Sequence, residues 1–500
     1  MDETADRLDS LLAEVTALRH TASLLSWDER VCMPPGGVSA HGEMLATVRR
    51  LAHEKFTSDE VGRLIETATD AARSLPNDAD ASRKIRVTAR DYRKAARVPP
   101  AYVATHARIA SVAHQAWREA RAQSDFRVFL PHLEKMLELK QQYVEFFQPT
   151  AHPYDALLDD FEPGGLTSDV QALFDALRPK QVALIRAISA RPPIDDAFLR
   201  VAYTEKEILD FSLAVISTFG FDWTRGRQDK SAHPFATSIG ADDVRITTRF
   251  DERNPFEMLF STLHETGHAL YEQGVGPTWS KTILRGGTSL GVHESQSRLW
   301  ENLVGRSRPF WEHFFPALQR RFPAQLGRVD VDRFYRAINK VQPSLVRVEA
   351  DEVTYNLHVM LRVEMEIGML SGAFKMSEAP EVWNGKMRDY LGVTPADAAT
   401  GILQDMHWSV GLLGYFATYT IGNVISAQLW DTFRSQEPAC DDLIRRGDFT
   451  RLRAWLKDGI HQHGRSYQPA EIVERVTGSR LDPAPYLGYL DRKYREIYNL

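Results

Sequence analysis

His264 and His268 stand four residues apart in the run His264-Glu265-Thr266-Gly267-His268. On a helix that spacing is one turn. Two imidazoles can then reach one tetrahedral ion, and the carboxylate of Glu265 projects beside them, close enough to take a proton from a water at the ion. Two histidines do not complete such a site, so a third protein ligand is required. Glu272 is excluded on geometry, because eight residues past His264 is about 12 Å along the helix axis, against ligand distances of about 2 Å. The next carboxylates lie in His293-Glu294-Ser295-Gln296-Ser297-Arg298 and at Glu301. Spacing favours Glu294 and leaves Glu301 open. The competing reading of Glu294 is an i,i+4 pair with Arg298 on a solvated helix face. His293 reads as structural or as a support for a ligand.

Two histidines and one carboxylate leave a coordination position for water. Structural zinc sites are closed by four ligands, often cysteines, and the chain has only Cys32 and Cys440. The pattern therefore points to catalytic zinc in a hydrolase, foremost a peptidase. In that chemistry zinc acidifies a water and polarises the carbonyl, with Glu265 as general base and then proton donor to the leaving amine.

The elements that must position these groups are mostly helical. Asn254-Pro255 reads as a cap with proline at the first helical position, and Gly274 as a terminator. Between them Phe256, Leu259, Phe260, Leu263, Gly267 and Leu270 form one apolar stripe, with both histidines at its margin. A second helix is expected over 291–304. Leu8, Leu11, Leu12, Val15, Leu18, Ala22 and Leu25 make a core-facing stripe that ends at Met33-Pro34-Pro35-Gly36-Gly37. Similar stripes occupy 38–75 and 130–147, and Pro163-Gly164-Gly165 precedes another helix from Thr167. One region departs from this pattern: residues 235–239 and 244–250, around Gly240-Ala241-Asp242-Asp243, read as an antiparallel strand pair. No repeat, low-complexity segment or polar linker marks a domain boundary.

The charge balance is slightly acidic, 61 Lys+Arg against 67 Asp+Glu for a net −6, which argues against a nucleic-acid partner. Two cysteines and an acidic opening, Met-Asp-Glu-Thr-Ala-Asp, point to a cytoplasmic protein. The uncharged stretch Trp408–Trp430 carries Ser409, Thr418, Thr420, Asn423, Ser426 and Gln428, and is expected to be buried rather than membrane-spanning.

At these residues the chain resembles the thermostable carboxypeptidase 1 (carboxypeptidase Taq) family of metallopeptidases. The resemblance rests on ordered motifs: His233-Pro234-Phe235, Asp243-Val244-Arg245-Ile246-Thr247, the histidine helix, His293-Glu294-Ser295-Gln296, Val346-Arg347-Val348-Glu349-Ala350-Asp351, and Gly401 to Trp408. Flanking segments, from Ser26-Trp27-Asp28 to Tyr486–Tyr498, extend it over nearly the whole chain. It implies a mainly α, two-lobed fold with a deep active-site cleft and a small antiparallel sheet, forming one catalytic domain over 1–500. It also implies zinc or cobalt, a homodimer, and peptide substrates with a free C-terminus. Carried over residue by residue, the ligands are His264, His268 and Glu294, and Glu265 is the base.

The other motifs then acquire roles. An exposed strand edge can hold a peptide backbone by β-addition, and Val244–Thr248 is the segment suited to it. Arg245 and His233 are assigned to substrate binding, Arg245 equally to tying the hairpin in place. A guanidinium fork suits a terminal carboxylate, and Arg347 is the candidate, against an internal pair with Asp351. His407 and Tyr419 are candidate donors to a developing oxyanion.

Overall fold

The computed structural model describes residues 2–149 and 151–500. The chain divides into two compact units, each assembled from three separate segments. The first contains Met1–Ala96, Asp195–Ala337 and Leu429–Arg480; the second contains Arg97–Ile194, Ile338–Gln428 and Leu481–Leu500.

In the first unit the opening stripe becomes the helix Asp2–Val31. Its Leu8, Leu11, Leu12 and Val15 are buried against Phe56, Val61, Ile65, Val87, Trp279 and Leu284. The Met33–Gly37 breaker ends it, and after a short 3-10 turn the chain resumes as Val38–Phe56. The histidine helix runs from Glu257 to Gly274 and buries Leu259 and Leu263 completely. Its start differs from expectation. Asn254 and Pro255 lie in a turn whose Asn254 carbonyl accepts from the Glu257 amide, and Phe256, held edge-on to Phe334 and Tyr203, occupies the cap position. Aromatic packing has displaced the cap by two residues.

The sheet has three strands, β1 (Gly226–Lys230), β2 (Ala236–Gly240) and β3 (Asp243–Thr248), in the order β1-β3-β2. The expected antiparallel pair is β2 with β3, but β1 adds in parallel, so the sheet is mixed. Val244 and Ile246 of β3 are fully buried, and Thr248 reaches back to the Met258 carbonyl at 3.3 Å, which ties the sheet to the histidine helix. β3 is central and its backbone is paired on both sides. It therefore has no edge for β-addition; within this sheet the edge strands are β1 and β2.

The second unit is organised around buried polar groups that satisfy one another. Glu366, fully buried, accepts from Tyr154 Oη at 2.5 Å, Trp408 Nε1 at 2.8 Å and the Gly414 amide at 2.9 Å. The uncharged stretch opens in a 3-10 turn, His407–Val410, and continues into the helix Ala417–Gln436, whose Thr420 and Asn423 both donate to Asn356. Among the described residues, no helix is long and apolar enough to cross a membrane.

Candidate metal centre

Three residues of the first unit bring their ligand atoms together. Nε2 of His264 and Nε2 of His268 each lie 3.4 Å from Oε2 of Glu294, and the three ligand atoms fall within 4.8 Å of one another. Ligands at about 2 Å in tetrahedral array around zinc stand roughly 3.3 Å apart, so two imidazoles and one carboxylate fit such an ion in chemistry and in spacing. The histidine side chains keep 19% and 17% exposure, which leaves the centre reachable.

The helix Leu290–Arg298 delivers Glu294. Its Ser289 cap accepts from the Val292 amide at 3.0 Å. The two helices touch at Gly267, where a Cβ would stand 2.5 Å from the Gln296 carbonyl oxygen and 2.6 Å from Ser297 Cα. Only a residue without a side chain permits that approach. Beyond it, His461 of the last segment of this unit stacks on Tyr271 at 5.1 Å and contacts Gln296 Oε1 at 2.8 Å.

The Arg298 pairing of Glu294 is present, but on a buried face and not a solvated one. Oε1 accepts from Arg298 Nε at 2.7 Å while Oε2 faces both histidines. Burial alone would raise this carboxyl, but Arg298 and His264 outweigh it and hold it well below the usual range. Glu301 takes a different position. It stands on a π-helical turn, Leu299–Val304, and its Oε2 lies 2.9 Å from Nδ1 of His264, the nitrogen remote from Glu294. A carboxylate there fixes the proton on Nδ1 and leaves Nε2 bare for an ion. π-turns of this kind recur at functional sites.

Glu265 is buried next to this group. Desolvation pushes its carboxyl up to about 7; Glu294 and Glu301 add to the rise, and His264 opposes it. The two histidines diverge in their electrostatic surroundings. Burial acts to lower His264, but Glu294 and then Glu301 raise it to about 10, whereas burial takes His268 down to about 4. Because a histidine must be deprotonated at the coordinating nitrogen, ion binding at such a group is coupled to proton release.

Arg245, on β3, is bidentate to Asp243 at 2.8 and 2.7 Å and lies 4.3 Å above the Trp27 ring, with Arg227 of β1 over the same ring at 5.3 Å. This arrangement ties the sheet to the first helix. His233 is exposed just before β2, with Nδ1 2.9 Å from the Pro234 carbonyl oxygen.

In the second unit, Arg347, His407 and Tyr419 form their own cluster. Arg347 sits on a 3-10 turn and pairs with Asp405 at 2.8 Å, not with Asp351. It also donates to Tyr355 Oη at 3.1 Å and lies over the Tyr419 ring at 5.1 Å. Asp405 is shared with the fully buried Arg362 at 2.6 Å. His407 Nδ1 is 3.9 Å from Asp405, and its ring packs on Phe416 at 4.4 Å. Sequence reasoning missed Asp405 as the organising anion. Its only signal was the place next to Gln404 in the Gly401–Trp408 motif.

A model of the carboxypeptidase Taq (M32) metallopeptidase family matches residues 7–494. The chain belongs to that family. Its relatives include the thermostable carboxypeptidase 1 of Thermus thermophilus, 39% identical with 97% of each chain covered, and carboxypeptidase 1 of Bacillus subtilis, 36% identical with 98% of each covered. The crystal structure of the M32 carboxypeptidase from Deinococcus radiodurans superposes with a TM-score of 0.96 at 39% identity over 100% of both chains. The M32 family consists of metallocarboxypeptidases, so the chain is a metal-dependent peptidase, and the His264–His268–Glu294 group could hold a metal ion.

Proposed function

We propose that this M32 peptidase is a zinc-dependent carboxypeptidase of broad specificity that removes single residues from the free C-terminus of peptides. The observation that carries the reading is the pair of 3.4 Å separations between Glu294 Oε2 and the two Nε2 atoms, with Glu265 buried beside them. His264, His268 and Glu294 are the ligands, and cobalt is the natural substitute for an N/O donor set of this kind. A bound ion would supply Lewis acidity, acidifying a water and polarising the scissile carbonyl. Glu265 does the proton work: a carboxylate Oε takes the water's proton and returns it to the leaving amine nitrogen. Its raised affinity for protons in the buried site suits that cycle near neutral pH.

The free carboxylate of the substrate is assigned to Arg347. Two guanidinium groups, Arg347 and Arg362, both pair with the carboxylate of Asp405. Tyr419 Oη and the His407 ring are the assigned donors to the oxyanion of the tetrahedral intermediate. The substrate backbone is assigned to the β2 edge, with the His233 ring ahead of it and Arg245 bracing β3 behind it. The reading treats 1–500 as one catalytic domain acting as a cytoplasmic homodimer; the unbridged Cys32 and Cys440 favour a reducing compartment.

The test is a time-resolved mass ladder of a mixed-sequence peptide with its C-terminus free or amidated, using zinc-loaded enzyme. Stepwise loss of single residues from the free form alone is expected. Internal cutting of both forms at equal rates would overturn the exopeptidase assignment and remove the role given to Arg347.

A further inference from the structure

The two histidine ligands are supported differently. His264 presents its remote nitrogen to a carboxylate, Glu301, whereas His268 presents its own to another imidazole: Nδ1 of His268 lies 2.6 Å from Nδ1 of His293. Nε2 of His293 lies 3.0 Å from Oε1 of Glu272, and Glu272 in turn faces Arg285 at 3.6 Å.

Chemistry fixes the direction of this chain. If Nε2 of His268 binds an ion it carries no proton, so the proton of the neutral ring is on Nδ1 and must be donated. The acceptor is then Nδ1 of His293, which must be bare. The proton of His293 therefore sits on Nε2, from which it donates to Glu272. Each link leaves one arrangement for the next.

We propose that His293 is a positioning residue for the metal ligand His268, holding its tautomer and ring plane through a relay from His268 to His293 to Glu272, anchored by Arg285. The surroundings suit such a task. The His293 ring is flanked by Tyr271 at 5.2 Å, and on another side Gly287 is so close that a Cβ there would stand 2.5 Å from His293 Cδ2. Glu272 and Arg285 are both buried, at 9% and 8% exposure, so the anchored end of the relay is not screened by bulk water. The relay also explains Glu272, which lies too far along the helix to share the ion with His264 yet is kept as a buried carboxylate. An imidazole between ligand and carboxylate places the negative charge one ring further from the ion than Glu301 is placed on the other side.

The inference rests on the reading that His268 is an ion ligand, and the experiment separates the two. Zinc affinity is measured by chelator competition, and the site geometry by the visible d–d absorption of the cobalt-loaded chain, for His268→Ala, His293→Leu, His293→Asn and Glu272→Gln. Asparagine can place an acceptor where His293 Nδ1 stood while severing the link to Glu272. Loss of both links in His293→Leu is expected to weaken zinc 10- to 100-fold and to shift the cobalt bands. His293→Asn should recover most of the affinity, and Glu272→Gln should fall between. His293→Leu within twofold of the parent with unchanged cobalt bands would overturn the relay, as would equal losses in the leucine and asparagine variants, which would make His293 a packing group. If His293→Leu does not fold by circular dichroism, Glu272→Gln decides: unchanged affinity and bands overturn the relay. Zinc binding unaffected by His268→Ala would instead overturn the metal site itself.

Discussion

Glu265 is the residue whose removal should separate chemistry from binding. It is buried beside the proposed ligands without being one, so on the proposed mechanism Glu265→Gln would keep the volume and the ion but lose the proton acceptor. Turnover should fall by a factor of 100 or more, with zinc retained at one equivalent by metal analysis. Full activity in a zinc-bearing Glu265→Gln chain would end the assignment. The histidines and Glu265 were legible in the sequence because helical periodicity places i and i+4 on one face, whatever surrounds them. Spacing favoured Glu294 over Glu301 without excluding the second. They lie seven residues apart, about two turns, and so share a face. What distinguishes them is the nitrogen of His264 each one meets, Nε2 for Glu294 and Nδ1 for Glu301, and that depends on where two helices dock. Arg347 shows the same limit: the neighbour at i+4 was a sound guess, but its real partner, Asp405, is 58 residues away.

Among the elements, the contact between the histidine helix and Leu290–Arg298 sets the ligand geometry, and Gly267 sets that contact. Gly267→Ala would drive a Cβ against backbone atoms of Gln296 and Ser297 that have no flexible end to yield. The helices must separate, at a cost of about 1 to 3 kcal/mol, and Glu294 must withdraw from both histidines. The expected outcome is a lower melting temperature together with weaker zinc binding; a variant that melts lower but binds zinc as before would show that the helix spacing does not govern the site. The sheet illustrates why strands were only partly readable. β2 and β3 carry the alternation and turn residues of a hairpin, whereas β1, Gly-Arg-Gln-Asp-Lys, has no strand-forming residue and owes its conformation to pairing with β3. Without β1, β3 reads as an edge; with it, β3 is central.

For the whole molecule, both histidines and Glu294 belong to the first unit, so an ion there cross-links two helices of one body. Ligand binding to the folded state alone stabilises it by on the order of 4 kcal/mol at a thousandfold excess over Kd. Thermal melts with and without chelator should differ accordingly, and the difference should vanish in His268→Ala. A chain that melts identically in both conditions would argue against a native ion at this site. No domain boundary was found in the sequence because none is contiguous. The chain passes between the units repeatedly, and the boundary Gln428–Leu429 falls inside the helix Ala417–Gln436, where no linker composition can appear.

This threading has a consequence for how the enzyme comes into being. Every ligand has been synthesised once residue 294 is made, yet His461, which braces Tyr271 and Gln296 behind the ligand helices, follows 167 residues later. At roughly 5 to 20 residues per second, the nascent chain carries all three ligands for about 8 to 33 seconds before their backing exists. A ribosome stalled in that interval would hold the motif in full and the candidate site in part.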